Sequence, residues 1–182
     1  MKSFLSFLFI IFFSTKSFAS IEEKIIQNIK NIDNLNFDFE QNINGKIEKG
    51  KCVLEYPKKI NCRYDTTNKK NLVSNGKLIV IKTVNSYYVY PIEKTPLNFI
   101  LSKDYILDRI KTKKKENING KLIVYNFNEN ENEIKIFFDK ENYNLVGWQT
   151  LDIYQNLSIT YISSLIKNTR LKKNQFKIPE QH

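Results

Sequence analysis

The feature that most constrains the fold is a series of short apolar or aromatic runs separated by turns. Each run has five to ten residues, and dipeptides such as Asn44-Gly45, Asn75-Gly76 and Asn119-Gly120 favour tight hairpin turns. The runs that we interpret as strands are residues 36–41, 51–56, 59–64, 70–74, 77–83, 87–92, 121–128, 133–139, 145–153 and 157–166. Ten strands at hairpin spacing predict a mainly β protein with an antiparallel meander.

Residues 20–35 precede these runs and are predicted to form one helix. Ser20 and Glu23 have the S-x-x-E spacing of a capping box, which marks a helix N-terminus. The apolar stripe of this helix consists of Ile21, Ile25, Ile29 and Ile32. An amphipathic helix beside a large antiparallel sheet indicates a curved sheet wrapped around that helix, an α+β arrangement.

Residues 95–102 interrupt the strand pattern. Pro96 is suited to a helix start, and dense apolar residues follow it. Leu97, Ile100 and Leu101 are spaced i, i+3 and i+4, which places them on one helical face. Because so apolar a segment is unfavourable in water, we predict a short helix that covers part of the sheet.

Two polar segments are predicted to lie outside the core. Residues 111–116 are charged, which is typical of a solvated turn. The tail after Asn168 is polar apart from Leu171, Phe176 and Ile178, and we expect it to dock as an extended edge.

Several predicted strands are apolar on both faces. In residues 77–83, Leu78 and Val80 point to one side while Ile79 and Ile81 point to the other. An open meander with one wet face does not need this pattern. A sheet that is covered on both sides, or that encloses an apolar cavity, explains it.

Residues 1–19 have the features of a secretory signal peptide. Lys2 gives a positive start, residues 4–13 are almost wholly apolar, and small residues end at Ala19. The apolar run is too short to span a bilayer, so a transmembrane anchor is the disfavoured alternative. Ser20, not a lipidatable Cys, follows the predicted cleavage between Ala19 and Ser20. We expect a free mature chain in an oxidising, extracytoplasmic space.

The mature chain is expected to be one domain, residues 20–182. Removing 19 residues leaves 163, and subtracting Lys2 and Lys16 lowers the net charge from +10 to +8. A basic chain could bind nucleic acid, an anionic membrane or an acidic partner. The excess of Lys, Asn and Ile also fits an AT-rich coding bias, and the chain has no nucleic-acid motif. We therefore expect no nucleic-acid partner.

Two cysteines, Cys52 and Cys62, lie on either side of the turn signal at Pro57. Their even spacing puts both side chains on the same face of a hairpin, so a cross-strand disulfide is the favoured interpretation. Two small buried thiols are the alternative. No metal site is expected, because His182 is the single histidine.

No catalytic set stands out in the sequence. There is no internal His for a Ser-His-Asp triad or to activate a cysteine thiol, and five glycines form no phosphate-binding loop. Glu129 and Glu131 fall in a predicted polar hairpin tip, which is typical of solvent-facing residues. We expect a binding protein without a cofactor, not an enzyme. Its 23 Phe and Tyr residues could line an apolar cavity or fill a packed core.

An ordered set of short motifs points to one family. They are Phe37-Asp38-Phe39-Glu40-Gln41, then Gly50-Lys51 opening a strand that ends in Tyr56-Pro57, then Leu72-Val73-Ser74-Asn75-Gly76-Lys77, Thr95-Pro96-Leu97, and a late strand followed by Asn168, Phe176 and Pro179. Each motif alone is weak. In this order, over nearly the whole mature chain, they resemble the LolA family of periplasmic outer-membrane lipoprotein carriers.

The resemblance implies an unclosed antiparallel β-barrel of about 10–11 strands, with a helical lid over an apolar cavity. The expected cavity residues are Phe37, Phe39, Leu54, Tyr56, Ile60, Cys62, Tyr64, Ile79, Ile81, Tyr88 and Tyr90, with Ile60 near the mouth. The expected lid residues are Ile25, Ile29, Pro96, Leu97, Ile100 and Leu101. The best-known members have an Arg before the Pro that ties the lid shut, whereas Tyr56 occupies that place here.

The resemblance also implies a function and its partners. The protein would accept the acyl chains of lipoproteins from an inner-membrane ABC transporter and deliver them to an outer-membrane lipoprotein receptor, acting as a periplasmic monomer. The alternative is a related envelope protein that uses the same fold to bind lipid or sense stress. Ser20 argues against a lipidated receptor-type relative, and 163 residues leave no room for the second domain of a larger sensor.

Overall fold

The computed structural model describes residues 19–112, 116–118, 120–129, 132–152 and 154–181. Residues 1–18 of the predicted signal peptide lie outside the described residues. So do Asn119 of one predicted turn, Glu131 of the predicted hairpin tip, residues 113–115 of the charged connection, Ile153 and His182.

The described residues form eleven strands, three α-helices and a short 3₁₀ helix. The strands are β1 (Asn34–Ile43), β2 (Lys46–Glu55), β3 (Lys59–Tyr64), β4 (Asn71–Asn75), β5 (Leu78–Lys82), β6 (Tyr87–Pro91), β7 (Glu116–Ile118), β8 (Leu122–Glu129), β9 (Asn132–Asp139), β10 (Leu145–Leu151) and β11 (Leu157–Lys167). The helices are α1 (Ile21–Lys30), the 3₁₀ helix (Ile92–Lys94), α2 (Leu97–Ile100) and α3 (Lys103–Thr112).

All eleven strands belong to one antiparallel sheet, in the order β6-β5-β4-β3-β2-β1-β11-β10-β9-β8-β7. The first and last strands pair in its middle, for example Phe39 with Ile162. β6 and β7 form the two edges, so the sheet is an unclosed barrel, and the helices α2 and α3 lie between these edges in sequence. This architecture confirms the predicted fold class.

Gly50 lies where β2 passes close to its neighbours. A Cβ atom at this position would lie 2.1 Å from the carbonyl oxygen of Arg63 and 2.8 Å from the ring of Phe39. Both distances are far below van der Waals contact, so only glycine lets β1, β2 and β3 approach this closely.

Helix α1 starts as predicted and ends five residues early. The Ser20 hydroxyl accepts from the Glu23 amide at 3.1 Å, and the Glu23 carboxylate accepts from the Ser20 amide at 2.7 Å. The predicted end at residue 35 is wrong, because Leu35 is already extended and paired with Leu54 on β2. Ile32 remains buried, but in the link between helix and strand.

Helix α2 lies within the predicted segment 95–102, and helix α3 follows it directly. Residues 103–110 were not predicted to be helical, and residues 111 and 112 were expected in a turn. The signal in α3 is one i, i+4 pair, Ile106 and Ile110, both about 1% exposed. The charged residues between them obscured this short stripe.

The strands also differ from their predicted bounds. β2 begins at Lys46, not residue 51, because its polar first half pairs residue by residue with β1 from Ile43 back to Phe39. β7 is an additional strand of three residues, and Glu116, expected in the charged turn, is its first residue. Neither segment has the apolar content that the prediction relied on.

The tail after Asn168 lies over the outer face of β3–β6 and adds no strand to an edge. The Asn61 amide donates to the carbonyl of Gln175 at 2.7 Å, and the Tyr87 hydroxyl donates to the carbonyl of Pro179 at 2.9 Å. Val73 and Val80 face the same side and are at most 1% exposed. The expected edge docking is wrong, because edge pairing would leave these valines in water.

Candidate ligand cavity

Helices α1 and α3 fill one half of the concave face of the sheet. The ring of Tyr105 on α3 contacts Phe127 on β8 at 6.1 Å, and Tyr125 contacts Phe138 at 6.0 Å, each edge to face. These aromatic side chains are part of the buried core under the two helices. The half over β8 and β9 is therefore part of the packed core.

The other half of the concave face is only partly filled. A cavity of about 330 Å³ lies between β1–β5, the edge strand β6, α2, β10 and the start of β11. Its wall combines an apolar group, Tyr64, Leu72, Ile79, Ile81, Tyr88, Pro96, Leu97, Trp148 and Leu151, with polar side chains from Gln41, Glu48, Lys70, Thr150 and Ser158. This volume is at the lower end of the roughly 300–1,000 Å³ range of small-molecule sites.

The cavity opens where the turns after β1, β5 and β10 meet. Lys46, Ser86 and Tyr154 line this end, and the side chain of Lys46 is 76% exposed. The Asn44 amide donates to the Asn156 amide oxygen at 2.7 Å and holds two of the turns together. A ligand would enter from this side.

A smaller void of about 40 Å³ extends the cavity inward. Gln41, Tyr64, Leu72, Leu97 and Trp148 line both spaces, so the void continues the cavity toward the core. The remaining side chains around it are Phe39, Cys52, Ile60, Cys62 and Thr160.

The structure distributes the predicted cavity residues over three environments. Those that line the main cavity are Tyr64, Ile79, Ile81 and Tyr88, and those around the inner void are Phe39, Ile60, Cys62 and again Tyr64. Phe37 and Leu54 are buried in the core outside both spaces, Tyr56 packs against the core, and Tyr90 lies at the edge strand beside Tyr154. Ile60 is 2% exposed, so it lies deep inside and not near the mouth.

The predicted lid residues also separate. Pro96 and Leu97 line the cavity, whereas Ile100 and Leu101 turn into the core. Ile25 and Ile29 lie on the buried face of α1, over the packed half of the concave face. Among the helices of the described residues, only α2 contributes a side chain, Leu97, to the cavity wall.

Contacts just after the C-terminal end of α2 hold it over the cavity. The amide of Lys58, in the turn after β2, donates to the carbonyl of Leu101 at 2.8 Å. The Lys103 ammonium donates to the carbonyls of Lys30 and Ile32, at 3.3 and 3.0 Å, and so ties α3 to the end of α1. Both contacts are hydrogen bonds that can break without disturbing the sheet.

Tyr56, at the position where the family resemblance leads us to expect Arg, takes part in this closure as an aromatic surface. The Lys103 ammonium lies 5.9 Å from the centre of its ring, which is cation–π distance. Burial raises the pKa of the Tyr56 hydroxyl, so the side chain is neutral. The contacts around α2 therefore involve a backbone carbonyl and a lysine ammonium, where the family resemblance led us to expect an Arg guanidinium.

A band of polar side chains crosses the concave face near the mouth. We call Thr150, Ser158, Gln41, Glu48 and Lys70 the polar band. The Gln41 amide donates to the Ser158 hydroxyl at 3.0 Å, and the Tyr64 hydroxyl donates to the Gln41 amide oxygen at 3.2 Å. Gln41 is directly opposite Glu48 in the β1–β2 pairing.

Glu48 is the buried charge of this band, at 7% exposure. Burial opposes its ionisation, but hydrogen bonds from Lys70 and Lys46 overcome this and hold the pKa of Glu48 below its ordinary value of 4.5. Our sequence interpretation missed the band because the predicted strand began at residue 51, after Glu48. The available signal was parity: Glu48 alternates in step with Gly50, Cys52 and Leu54, which face inward.

Metal-binding clusters and membrane-spanning helices are both absent from the described part of the chain. No group of three or more His, Cys, Asp or Glu side chains is placed there to hold a metal ion. None of the helices described is long and apolar enough to cross a membrane.

A comparison against protein families finds a match over most of the chain. The sequence model of a family described as outer membrane lipoprotein carrier protein LolA matches residues 23–179. The chain belongs to this family. No curated protein sequence matches the chain significantly.

Solved structures similar to this LolA-family chain share little sequence with it. A LolA superfamily protein from Nitrosomonas europaea is 8% identical with a TM-score of 0.44, covering 88% of this chain and 99% of the other. An uncharacterized conserved protein from Thermus thermophilus is 8% identical with a TM-score of 0.50, covering 88% and 93%. LprF from Mycobacterium bovis is 12% identical with a TM-score of 0.45, covering 86% and 95%.

Proposed function

We propose that this protein is a carrier that holds the acyl chains of lipoproteins in its cavity and shields them from water. The observation that supports this best is the partly apolar cavity beneath α2, which opens at one end and continues inward past Leu97 and Trp148. Membership of the LolA family gives the cargo its chemical class.

The physical reason for such a carrier is the cost of exposing acyl chains to water. Each buried CH₂ contributes about 0.8 kcal/mol, so a lipoprotein with several chains does not leave a membrane unaided. A cavity of about 330 Å³ is small for several chains. Loading a lipoprotein therefore requires the cavity to expand, and α2 is the element that can move away without breaking strand pairs.

The proposed route follows from the family. The carrier would work in the periplasm after cleavage between Ala19 and Ser20. It would take lipoproteins from an inner-membrane lipoprotein-releasing ABC transporter and pass them to an outer-membrane lipoprotein receptor. We propose that it acts as a monomer, through binding and not catalysis, and without nucleic acid.

Mass spectrometry of the protein purified without detergent tests the central claim. We expect acylated lipoprotein or lipid to co-purify with the protein. A titration with acylated lipoprotein, followed by the fluorescence of Trp148, the single tryptophan, should saturate at one equivalent. The same lipoprotein without its acyl chains should give no signal. Equal binding of the two forms would contradict the proposal.

A substitution in the cavity wall tests whether the acyl chains bind in this cavity. Ile81→Glu places a carboxylate in the apolar wall and should weaken binding of acylated lipoprotein at least about tenfold, because a buried unpaired charge is strongly disfavoured. Ile166→Glu is the matched control, since Ile166 is 58% exposed on β11 and does not line the cavity. Both variants should be compared at equal folded fraction. Equal affinities would place the acyl chains elsewhere.

A further inference from the structure

The polar band is the part of the cavity that an acyl chain does not explain. It runs across four neighbouring strands: Thr150 on β10 is opposite Ser158 on β11, the Gln41 amide on β1 donates to the Ser158 hydroxyl, and Gln41 is opposite Glu48 on β2. An acyl chain gains nothing from hydroxyl, amide and ammonium groups in its binding site. The band therefore fits the polar end of a ligand.

One member of the band has a hydrogen-bonding capacity that the protein does not use. The Thr150 hydroxyl oxygen is buried in a residue of 5% exposure and has no hydrogen-bond partner in the described part of the chain. Buried hydroxyls are normally paired, and leaving one unpaired costs free energy. Because Thr150 lines the cavity, a ligand group is a natural partner for it.

The unused N–H donors of two lysines suit an anionic group. Two ammonium groups, Lys46 and Lys70, converge on the single carboxylate of Glu48, each within salt-bridge distance. Lys70 also lies 4.1 Å from the centre of the Tyr64 ring. Each ammonium has three N–H donors, so Glu48 does not use all of their capacity.

Asp152 is the other carboxylate that lines the cavity, and its own turn occupies it. One of its oxygens accepts from the amides of Tyr154 and Asn156, at 2.8 and 2.9 Å, and the other accepts from the Asn156 side chain at 3.2 Å. These three hydrogen bonds hold the carboxylate in the β10–β11 turn. The lining therefore includes two lysines and two carboxylates, and the remaining N–H donors of Lys46 and Lys70 are available to an anionic headgroup.

From this arrangement we infer that the cavity binds single-chain amphiphiles with an anionic headgroup, a carboxylate or a phosphate ester. The headgroup is held by Lys46, Lys70 and the Thr150 hydroxyl, and the chain lies along Ile81, Leu97 and Trp148. The inference rests on the proposed function in one respect, that acyl chains enter this cavity. It adds a ligand class that the proposed function does not name, single-chain amphiphiles, because a cavity of about 330 Å³ holds one chain better than several.

The test compares three probes with the same 16-carbon chain: palmitate, palmitoyl lysophosphatidylglycerol and neutral monopalmitoylglycerol. Their dissociation constants are measured below micelle-forming concentrations, by the fluorescence of Trp148. We expect at least one anionic probe to bind about tenfold more tightly than the neutral one, as hydrogen bonds to charged groups predict. The tighter of the two identifies the source as a free fatty acid or a phospholipid.

Two variants test the assigned residues. Lys46→Gln and Thr150→Val should each reduce the preference for the anionic probe several-fold and leave affinity for monopalmitoylglycerol unchanged. Lys49→Gln is the matched control, because Lys49 has the same charge on the same strand but pairs with Glu40 on the outer face. Both substitutions are mild, and thermal melts verify the fold.

Failure of this inference is distinguishable from failure of the proposed function. Equal affinity for all three probes, or an unchanged anionic preference in both variants, would overturn the headgroup site while leaving an acyl-binding cavity. Binding of none of the probes, together with no response to acylated lipoprotein, would overturn both.

Discussion

Cys52 and Cys62 show how single residues are placed by strand register. They are directly opposite each other in the β2–β3 pairing, with Cα atoms 4.1 Å apart, and the structure joins their sulfur atoms. Both side chains are 5% exposed and border the inner void. The disulfide would therefore stiffen the wall of the inner void.

The bond predicts that protein isolated from its native compartment has no free thiol. A bridge across ten residues stabilises a chain by roughly 2–3 kcal/mol when unfolded-state entropy is considered. The measurement is alkylation under denaturing conditions, with and without reductant, followed by intact mass. Two alkylated cysteines in the unreduced sample would show that the sulfurs are free thiols.

Glu48 predicts an acid-sensitive contribution to stability. Since its folded-state pKa is lowered below 4.5, it stabilises the fold above that pH, and the contribution is lost as pH falls through the folded pKa. Glu48→Gln should destabilise the protein by roughly 1–3 kcal/mol at pH 7, and this difference should shrink below pH 4.5.

Urea unfolding at pH values from 7 to 3 measures this difference. Glu40→Gln is the control, because Glu40 pairs with Lys49 on the exposed outer face. A Glu48→Gln deficit that stays constant over the whole range would mean that the charge of Glu48 contributes nothing.

At the scale of elements, α2 differs from its two neighbours in what it covers. It is four residues long, and Leu97 faces the cavity while Ile100 enters the core. Helices α1 and α3 pack on the buried core with aromatic residues of β8 and β9, and none of their residues lines the cavity. Short elements with few buried contacts open most easily, which favours α2 as the moving part of the lid.

Hydrogen exchange tests this division of roles. Adding acylated lipoprotein should change the exchange of the amides of residues 97–101 about tenfold or more, and leave those of α1, around Ile25 and Ile29, unchanged. The unacylated form is the control ligand. If α1 responds as strongly as α2, both helices move, and the lid includes Ile25 and Ile29 as the sequence prediction had it.

At the scale of the whole molecule, the sheet is covered on both faces by different means. The concave face of β3–β6 meets the cavity and α2, whereas their outer face is covered by the tail. The tail is joined to the outer face by hydrogen bonds from Asn61, Lys82 and Tyr87 to its backbone carbonyls. Strands near this edge can therefore be apolar on both sides.

Deleting residues 171–182 should expose Val73 and Val80, which are buried in the folded protein. Because each buried valine contributes about 1.5 kcal/mol or more, the free energy of unfolding should fall by about 3 kcal/mol. Urea unfolding measures this loss. Deleting only residues 181 and 182 is the control and should have no effect. Since the tail lies outside the sheet, acyl-chain affinity of the folded truncated protein should be unchanged, and a loss of affinity would connect the tail to the cavity.

The sequence predictions are most accurate for features that depend on residues close together in the chain. β3 has the predicted bounds, and the capping box at Ser20 correctly gives the start of α1, because alternation and capping involve neighbouring residues. The end of α1 was wrong because Leu35 pairs with Leu54 and Lys167, which are distant in sequence. Helix α3 was missed because its apolar stripe has only two fully buried members.

The same distinction holds for the candidate site. Parity alone placed Ile79 and Ile81 on one face, and both line the cavity. Strand alternation also placed Leu54 and Ile60 on the inward face. It could not show that Leu54 lies in the core whereas Ile60 borders the inner void. Gln41 was placed only in a strand and a motif, and Glu48 lay outside the predicted strands.

The sequence by itself determined the number and order of most strands, the start of α1 and the apolar helix at Pro96, because these depend on short-range backbone preferences and side-chain alternation. Only the tertiary structure decided which half of the concave face is filled. That depends on contacts between distant segments, such as Asn28 with the carbonyl of Tyr143 and Lys103 with that of Ile32. Where α1 and α3 dock, the barrel is a packed core; where they do not, it keeps a cavity.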